Sequence, residues 1–320
     1  MKIIALSLVC LQSWIGVGTA IAQEISSVAG RAGAPFRMGF GARGIGMGNA
    51  LTSTPTGDIA SYYSPALLPY QDRPVALLSY GSLAFDRKLN FASYTQHVDR
   101  YAGISLGIIN SGVGSIEGRD RDGNATEIYS TSENQFFLSF GLRPSPMFSF
   151  GVTAKILYYS LFTDVRSTTF GMDFGGLYRI SDELTVGLVV QDVLSKYKWD
   201  TTKLYGLSGS SYDEKFPLRK RLGLSYILPS HGMVLAADFE LIASDAFWRI
   251  GIEVELLEGF QIRGGVDQIA FSGNIEAIPA LGLGFQTSVS TWTPRVDYAF
   301  VLEPYSPSGM HILTLSLRFQ

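Results

Sequence analysis

The 320-residue chain has one cysteine, Cys10, and three histidines. A lone cysteine so near the N-terminus excludes a disulfide framework, a cysteine-ligated zinc site and an iron–sulfur cluster. His97, His231 and His311 show no metal-ligand spacing, so neither a metal nor a cofactor is expected. Charge is scarce too: charged residues make up 17%, with 25 basic against 28 acidic. With no basic run or surplus, nucleic acid is excluded as a partner. The hydrophobic share of 46% is too high for disorder, and the Glu/Lys/Ala bias of long helices is missing. Beyond the N-terminus no window approaches the roughly 18 apolar residues of a spanning helix, so helical membrane spans are absent.

The first residues have the form of a secretory signal. Lys2 supplies the positive end, Ile3 to Val17 is mostly apolar, and Ala20-Ile21-Ala22 offers a small-x-small cleavage site before Gln23. Residues 1–22 are therefore expected to be a signal peptide, 23–74 an N-terminal segment and 75–320 the body of the fold. An exported chain this apolar, with no helical span, is either a periplasmic β-sandwich or a membrane barrel.

Period-two alternation dominates from residue 75 onward, the mark of strands with two unlike faces. In the last segment Leu313, Leu315, Leu317 and Phe319 point one way, and Ile312, Thr314, Ser316 and Arg318 the other. Strands are expected near 75–83, 88–97, 101–109, 134–142, 148–160, 169–180, 184–192, 217–228, 232–241, 246–256, 260–269, 279–288, 292–302 and 310–319. Alternate connections are short, as at Asp99-Arg100 and Glu258-Gly259, whereas the polar segments Asn110–Glu133 and Val193–Phe216 fall on the opposite side. That asymmetry belongs to an outer-membrane barrel with periplasmic turns, here antiparallel and of about fourteen strands. Tyr178, Tyr226, Trp292 and Phe319 near one rim, with Tyr158 and Trp248 near the other, suit the headgroup levels. The polar face carries Lys155, Asp173, Arg179, Arg219, Arg221, Asp238, Glu240, Arg249, Glu253, Glu255, Arg263, Asp267, Arg295, Asp297 and Arg318. These read as a paired electrostatic lining of the lumen rather than a substrate track. Partners are then outer-membrane lipid and, through Phe319, which is similar to a terminal aromatic insertion signal, the barrel-assembly machinery.

Residues 23–74 do not alternate; they are rich in Gly, Ala and Ser. Gly41-Ala42-Arg43-Gly44-Ile45-Gly46-Met47-Gly48, then Asp58 and Ser64-Pro65-Ala66, resembles the PorV/PorQ family, which is related to FadL-type fatty-acid channels. Ser64 stands where that family has Asn. Gly171-Met172-Asp173-Phe174-Gly175-Gly176-Leu177-Tyr178, Gln191-Asp192-Val193 and Asp297-Tyr298-Ala299-Phe300 extend the resemblance over nearly the whole chain after residue 22. It implies a fourteen-stranded barrel whose N-terminal segment plugs the lumen. The residues point the same way: glycines let backbone approach a wall closely, and Arg43 and Asp58 can pair with inward charges.

Catalytic patterns do not stand up. Gly103-Ile104-Ser105-Leu106-Gly107 fits G-x-S-x-G, but Ser105 sits in an alternating strand instead of a strand-to-helix elbow. Asp120-Arg121-Asp122-Gly123-Asn124 begins like a calcium loop, yet Ala125 and Thr131 replace its Gly and Glu. No enzyme is expected. The resemblance implies a component or platform for type IX protein secretion or surface attachment, with secreted cargo proteins as partners. The alternative is a FadL-like passive channel for hydrophobic small molecules. Intact-mass analysis of the membrane-extracted protein is expected to show Gln23 as the first residue; a retained Met1 overturns the signal assignment.

Overall fold

The computed structural model describes residues 30–319 apart from 59, 163, 271–274 and 305. The expected signal peptide lies outside the described residues. The chain forms β1 (Val75–Ser82), β2 (Arg87–Asp99), β3 (Ala102–Arg119), β4 (Ala125–Leu142), β5 (Phe148–Phe162), β6 (Val165–Arg179) and β7 (Leu184–Val193). A small hairpin, β8 (Lys196–Asp200) and β9 (Ser211–Lys215), interrupts the series. It resumes with β10 (Arg219–Leu228), β11 (Met233–Ile242), β12 (Asp245–Leu257), β13 (Phe260–Ala270), β14 (Ile278–Gln286), β15 (Trp292–Val301) and β16 (Met310–Phe319). Fourteen of these, all but β8 and β9, close into one barrel in which every strand pairs antiparallel with its neighbours. Closure is made by β1 on β16, with Leu78 opposite Leu315.

The alternation decides which face meets lipid. On β16, Leu313 and Leu315 are 47% and 48% exposed, whereas Thr314 and Ser316 between them are 2%. On β12, Ile250 and Ile252 face out while Arg249 and Glu253 are buried inside. The apolar exterior and the closed ring of strands are what a bilayer demands of a sheet, since lipid cannot satisfy an unpaired backbone group. At the turn rim, where the tight turns fall, Tyr178, Tyr226, Trp292 and Phe319 are exposed on the outer face, with Trp292 paired to Phe319. Trp248 lies near the opposite, loop rim and packs on Phe239, with ring centroids 5.0 Å apart.

Two connections differ from the sequence expectation. Asn110–Glu133 is not a polar loop. β3 and β4 run on through it and leave only 120–124 as a turn, because the apolar-polar alternation gives way there to Thr, Ser and Ile, which still favour extended backbone. β2 pairs with β3 only as far as Arg87–Val113, and β5 with β4 only as far as Ser160–Ser132, so the end of this hairpin projects as a two-stranded ribbon. Val193–Phe216 holds β8 and β9, with Lys198 paired to Asp213. The loop rim also has a tight link of its own at Ala243-Ser244.

Residues 30–74 run along the inside of the wall. They form short helices only: a 3-10 turn at Ala34–Arg37, α1 (Ala42–Gly46), α2 (Ala60–Tyr63) and a 3-10 helix at Pro65–Tyr70. Glycines on β3 to β7, β10 and β12 to β14 form the bed on which they lie. A β-carbon on Gly103 would meet the Leu68 carbonyl at 2.5 Å, one on Gly141 the Pro65 carbonyl at 2.5 Å, and one on Gly187 the Thr52 carbonyl at 2.9 Å. Gly251 and Gly265 sit just as close under Met47 and Gly48, and they face each other across the β12–β13 ladder. The two faces predict different failures. Ile252→Arg puts a charge in lipid at about 2–4 kcal/mol and is expected to cut the yield of heat-modifiable barrel. Gly251→Ala is expected to keep the barrel and loosen the segment, read as protease cleavage within 41–69. The reverse pattern overturns the register.

Candidate functional site: the lumen and its N-terminal segment

The segment's motif residues have separable local roles. Gly41, before α1, has φ +77°, and Gly48 has φ +59° with Val266 backbone 2.6 Å from where a β-carbon would stand; side chains are poorly tolerated at both. Gly46 abuts Gly282 of β14, its missing β-carbon 3.1 Å from that Cα. Ser64 caps the Pro65–Tyr70 helix by accepting the Ala66 amide at 3.3 Å, so the hydroxyl does here what an Asn side chain can do at a cap. Pro65 follows at the first helical position, where its missing N–H costs nothing.

Four ionic groups occupy the lumen. Arg43 on α1 binds Glu253 of β12 in bidentate fashion, both contacts 2.8 Å. Glu253 also accepts Arg263 of β13 at 2.5 Å, and Arg263 reaches Asp297 of β15 at 2.7 Å, which Arg295 holds at 2.8 Å. Asp58 accepts Arg318 of β16 at 2.8 Å and the Ser316 hydroxyl at 2.7 Å. Burial pushes the Asp58 carboxyl up, but Arg318, Arg295 and the Ser316 hydrogen bond outweigh it and hold it below the usual carboxylate range. Nearer the loop rim, on β10 to β13, Arg219, Arg221 and Arg249 converge on Glu240, and Arg249 also meets Asp267 at 2.5 Å. Lys155 of β5 sits between Asp173, at 2.6 Å, and Asp192, at 2.7 Å. Asp238 accepts the amide and hydroxyl of Thr52 at 3.1 and 2.5 Å. Arg179 and Glu255 lie at the turn rim: Arg179 pairs with Asp182 at 2.9 Å and lies over the Tyr70 ring, while Glu255 caps the Gly259 turn at 2.9 Å.

Strict alternation misses Asp192. Gln191 and Asp192 both face inward because β7 bulges against β6, between the pairs Met172–Val193 and Phe174–Val190, with Asp192 at φ +66°. The β7 bulge re-aims a side chain in this way, and an Asp, which tolerates positive φ, is its weak signal in sequence. A second bulge on β13, with Gln268 at φ +57°, follows Asp267, which keeps the inward phase of Arg263 and Gly265 and meets Arg249 and Asn49 Nδ2, the latter 2.8 Å away.

Aromatic and aliphatic side chains fill much of the remaining interior. Phe40 of the segment packs on Tyr62 at 4.9 Å and on Phe91 at 5.7 Å, and Phe91 stacks on Phe137 at 6.0 Å. At the loop rim Phe36 stacks on Phe216, which meets Tyr197 at 4.9 Å, and Tyr197 meets Trp199 at 5.4 Å. A cavity of 150 Å³ lies between segment and wall, lined by Met38 and Ile45 on one side and Ile278, Ala280, Val301 and Met310 on the other, with Asn49 and Asp267 at its edge. Ser105 donates to Ser61 at 3.0 Å within β3, with no elbow around it. Asp120 accepts the backbone amides of its own turn, Asp122 and Asn124, each at 2.9 Å. The three histidines are exposed. No group of His, Cys, Asp or Glu among the described residues has the arrangement of a metal site.

These features define a fourteen-stranded β-barrel of the bacterial outer membrane, its N-terminal segment laid against the inner wall. No protein-family model and no curated protein matches the sequence. Among solved structures, the fold is similar to the toluene transporter TbuX of Ralstonia pickettii, with TM-score 0.65, 12% identity and 88% of this chain covering 99% of that one. The toluene transporter TodX of Pseudomonas putida gives 0.63, 13%, 88% and 97%. A FadL homologue of Pseudomonas aeruginosa gives 0.57, 11%, 87% and 97%. At such identities the likeness concerns the fold, and it does not extend to the PorV/PorQ assignment. Removing one partner of a buried ion pair costs about 3–5 kcal/mol, so Glu253→Gln, which strips Arg43 and Arg263 together, is expected to free the segment to protease at neutral pH. Because the Asp58 carboxyl is depressed in the fold, its contribution is complete above the ordinary value near 3.9 and lost only as pH falls through the folded one. Protection of 41–69 should therefore hold at pH 5 and fail in stronger acid; loss already at pH 6 refutes this.

Proposed function

We propose that this protein is a passive channel for small hydrophobic molecules, with residues 23–74 as the plug that gates it. The observation carrying this reading is the mainly apolar cavity between Met38 and Ile45 of the segment and Ile278, Ala280, Val301 and Met310 of the wall, with Asn49, Asp267, Gln268 and Glu303 at its polar edge. An apolar cavity of about 150 Å³ binds benzene in another protein, so this one suits a solute of one ring. Its edge residues Asp267 and Gln268 form the β13 bulge, where the ladder to β12 is broken. Outside the same stretch, a recess of 430 Å³ is lined by Ile250, Ile252, Gly264 and Val266. The bulge is thus a short way from cavity to lipid. That solved structures of similar fold include toluene transporters supports this reading.

A second reading, a platform for type IX secretion or surface attachment, rests on the PorV/PorQ-like motifs and on one structural feature. The ribbon at the end of β3 and β4 extends past the barrel pairing and leaves Ile116 and Ile128 exposed. Cargo proteins would meet it there. Toluene flux into liposomes carrying the purified barrel separates the two readings. The channel reading expects flux in the wild type and a drop of at least about tenfold for Ala280→Phe, which fills the cavity, with heat-modifiability kept. Absent flux, or equal flux in the variant, rejects it.

A further inference from the structure

A second, smaller cavity lies across the lumen from the first, between the segment and β4, β5, β6, β7 and β10. Phe36, Tyr62 and Phe137 give it apolar walls, and Gln135, Gln191 and Arg219 give it polar ones. The three polar residues share one anomaly. Gln135 Oε1, Gln191 Oε1 and Arg219 Nη2 are buried and have no hydrogen-bond partner, although these side chains belong to residues only 5%, 4% and 2% exposed. The other charges around the cavity are matched, Lys155 by Asp173 and Asp192. Buried polar atoms are almost always paired, and leaving one bare costs more than a typical hydrogen bond returns. Two acceptors and a guanidinium N–H around one cavity offer a hydroxyl what it needs: its proton goes to a glutamine oxygen, and its oxygen accepts from Arg219. The cavity volume, 10 Å³, matches one water-sized group. Beside it the place of a ring is already taken, by Phe36 from the segment's first turn, stacked on Phe216.

We propose that this cavity is a specificity subsite for hydroxylated single-ring aromatics, phenols, whose ring takes the place of Phe36 and whose hydroxyl donates to the oxygen of Gln135 or Gln191 and accepts from Arg219. The inference rests on the channel reading for its biological meaning and adds a polar solute class to it. Phenol and toluene have nearly the same size, so the difference in their binding isolates the hydroxyl. Calorimetric titration of the purified full-length barrel carrying Phe36→Ala is expected to show phenol bound at least about tenfold more tightly than toluene, the worth of one hydrogen bond to groups otherwise bare. Adding Gln135→Leu and Gln191→Leu should abolish that preference and leave toluene binding unchanged. If Phe36→Ala does not fold, the two Gln→Leu changes are made in the wild-type chain, where phenol flux into liposomes should fall severalfold and toluene flux should stay. Toluene binding as tight as phenol, a preference surviving the double change, or phenol and toluene flux falling together overturns the subsite. Wild-type liposomes that pass neither solute, while Phe36→Ala prefers phenol, would instead reject the channel and leave the subsite standing.

Discussion

Closure of the sheet is the constraint from which the other features follow. A strand in lipid must give every backbone N–H and C=O to a neighbouring strand, and β1 on β16 completes that accounting. Fourteen strands, however, enclose more room than their own side chains fill; only about eight close without a usable interior. The chain fills that room with its own backbone, and backbone in a lumen brings polar groups that need partners. The wall supplies them. Thr314 accepts the Ala42 amide at 2.8 Å, and Ser149 and Ser225 donate to the carbonyls of Ala66 and Ser53, each at 2.8 Å. Where segment and wall touch most closely, the wall has glycine. The 35 glycines thus follow in part from barrel width.

The same constraint shapes the ionic groups. A buried ion pair gains little net stability, because desolvation offsets the attraction, but a missing partner is expensive. Pairs between segment and wall therefore act chiefly as register marks: Arg43 fits only where Glu253 waits, and Asp58 only where Arg318 does. The bidentate geometry of Arg43 narrows the choice further.

Much of this was legible in the sequence and some was not, for physical reasons. Alternation locates all fourteen barrel strands, because one face meets lipid and a slip of one residue would turn every side chain over. The inward direction of Arg43 and Asp58 could be anticipated from charge on a glycine-rich segment with a charged lumen beside it. Asp192 could not, since a bulge breaks the period that the reading relies on. The ribbon beyond Val113 was hidden for a related reason: with water on both faces, a strand has nothing to make its residues alternate. Gly251 looks like a neutral lumen position in sequence, and only the structure puts the Met47 carbonyl against it.

On the channel reading, the distribution of contacts along the segment decides how it would open. A solute shifts a conformational equilibrium only by its differential affinity for the two states, and it displaces only contacts that it can replace. An aromatic molecule entering from the loop rim can substitute for the rings of Phe36 and Phe40, which hold the first part of the segment to Phe216, Phe91 and Tyr62. It offers nothing to Arg43, Asp58 or the carbonyls lying on Gly103 and Gly141. On the channel reading, then, the segment moves at its loop-rim end while the end near Arg318 stays docked. The way out for the solute is sideways, past the broken ladder at Asp267 and Gln268, because the straight path to the turn rim stays closed by contacts that no hydrocarbon can compete for.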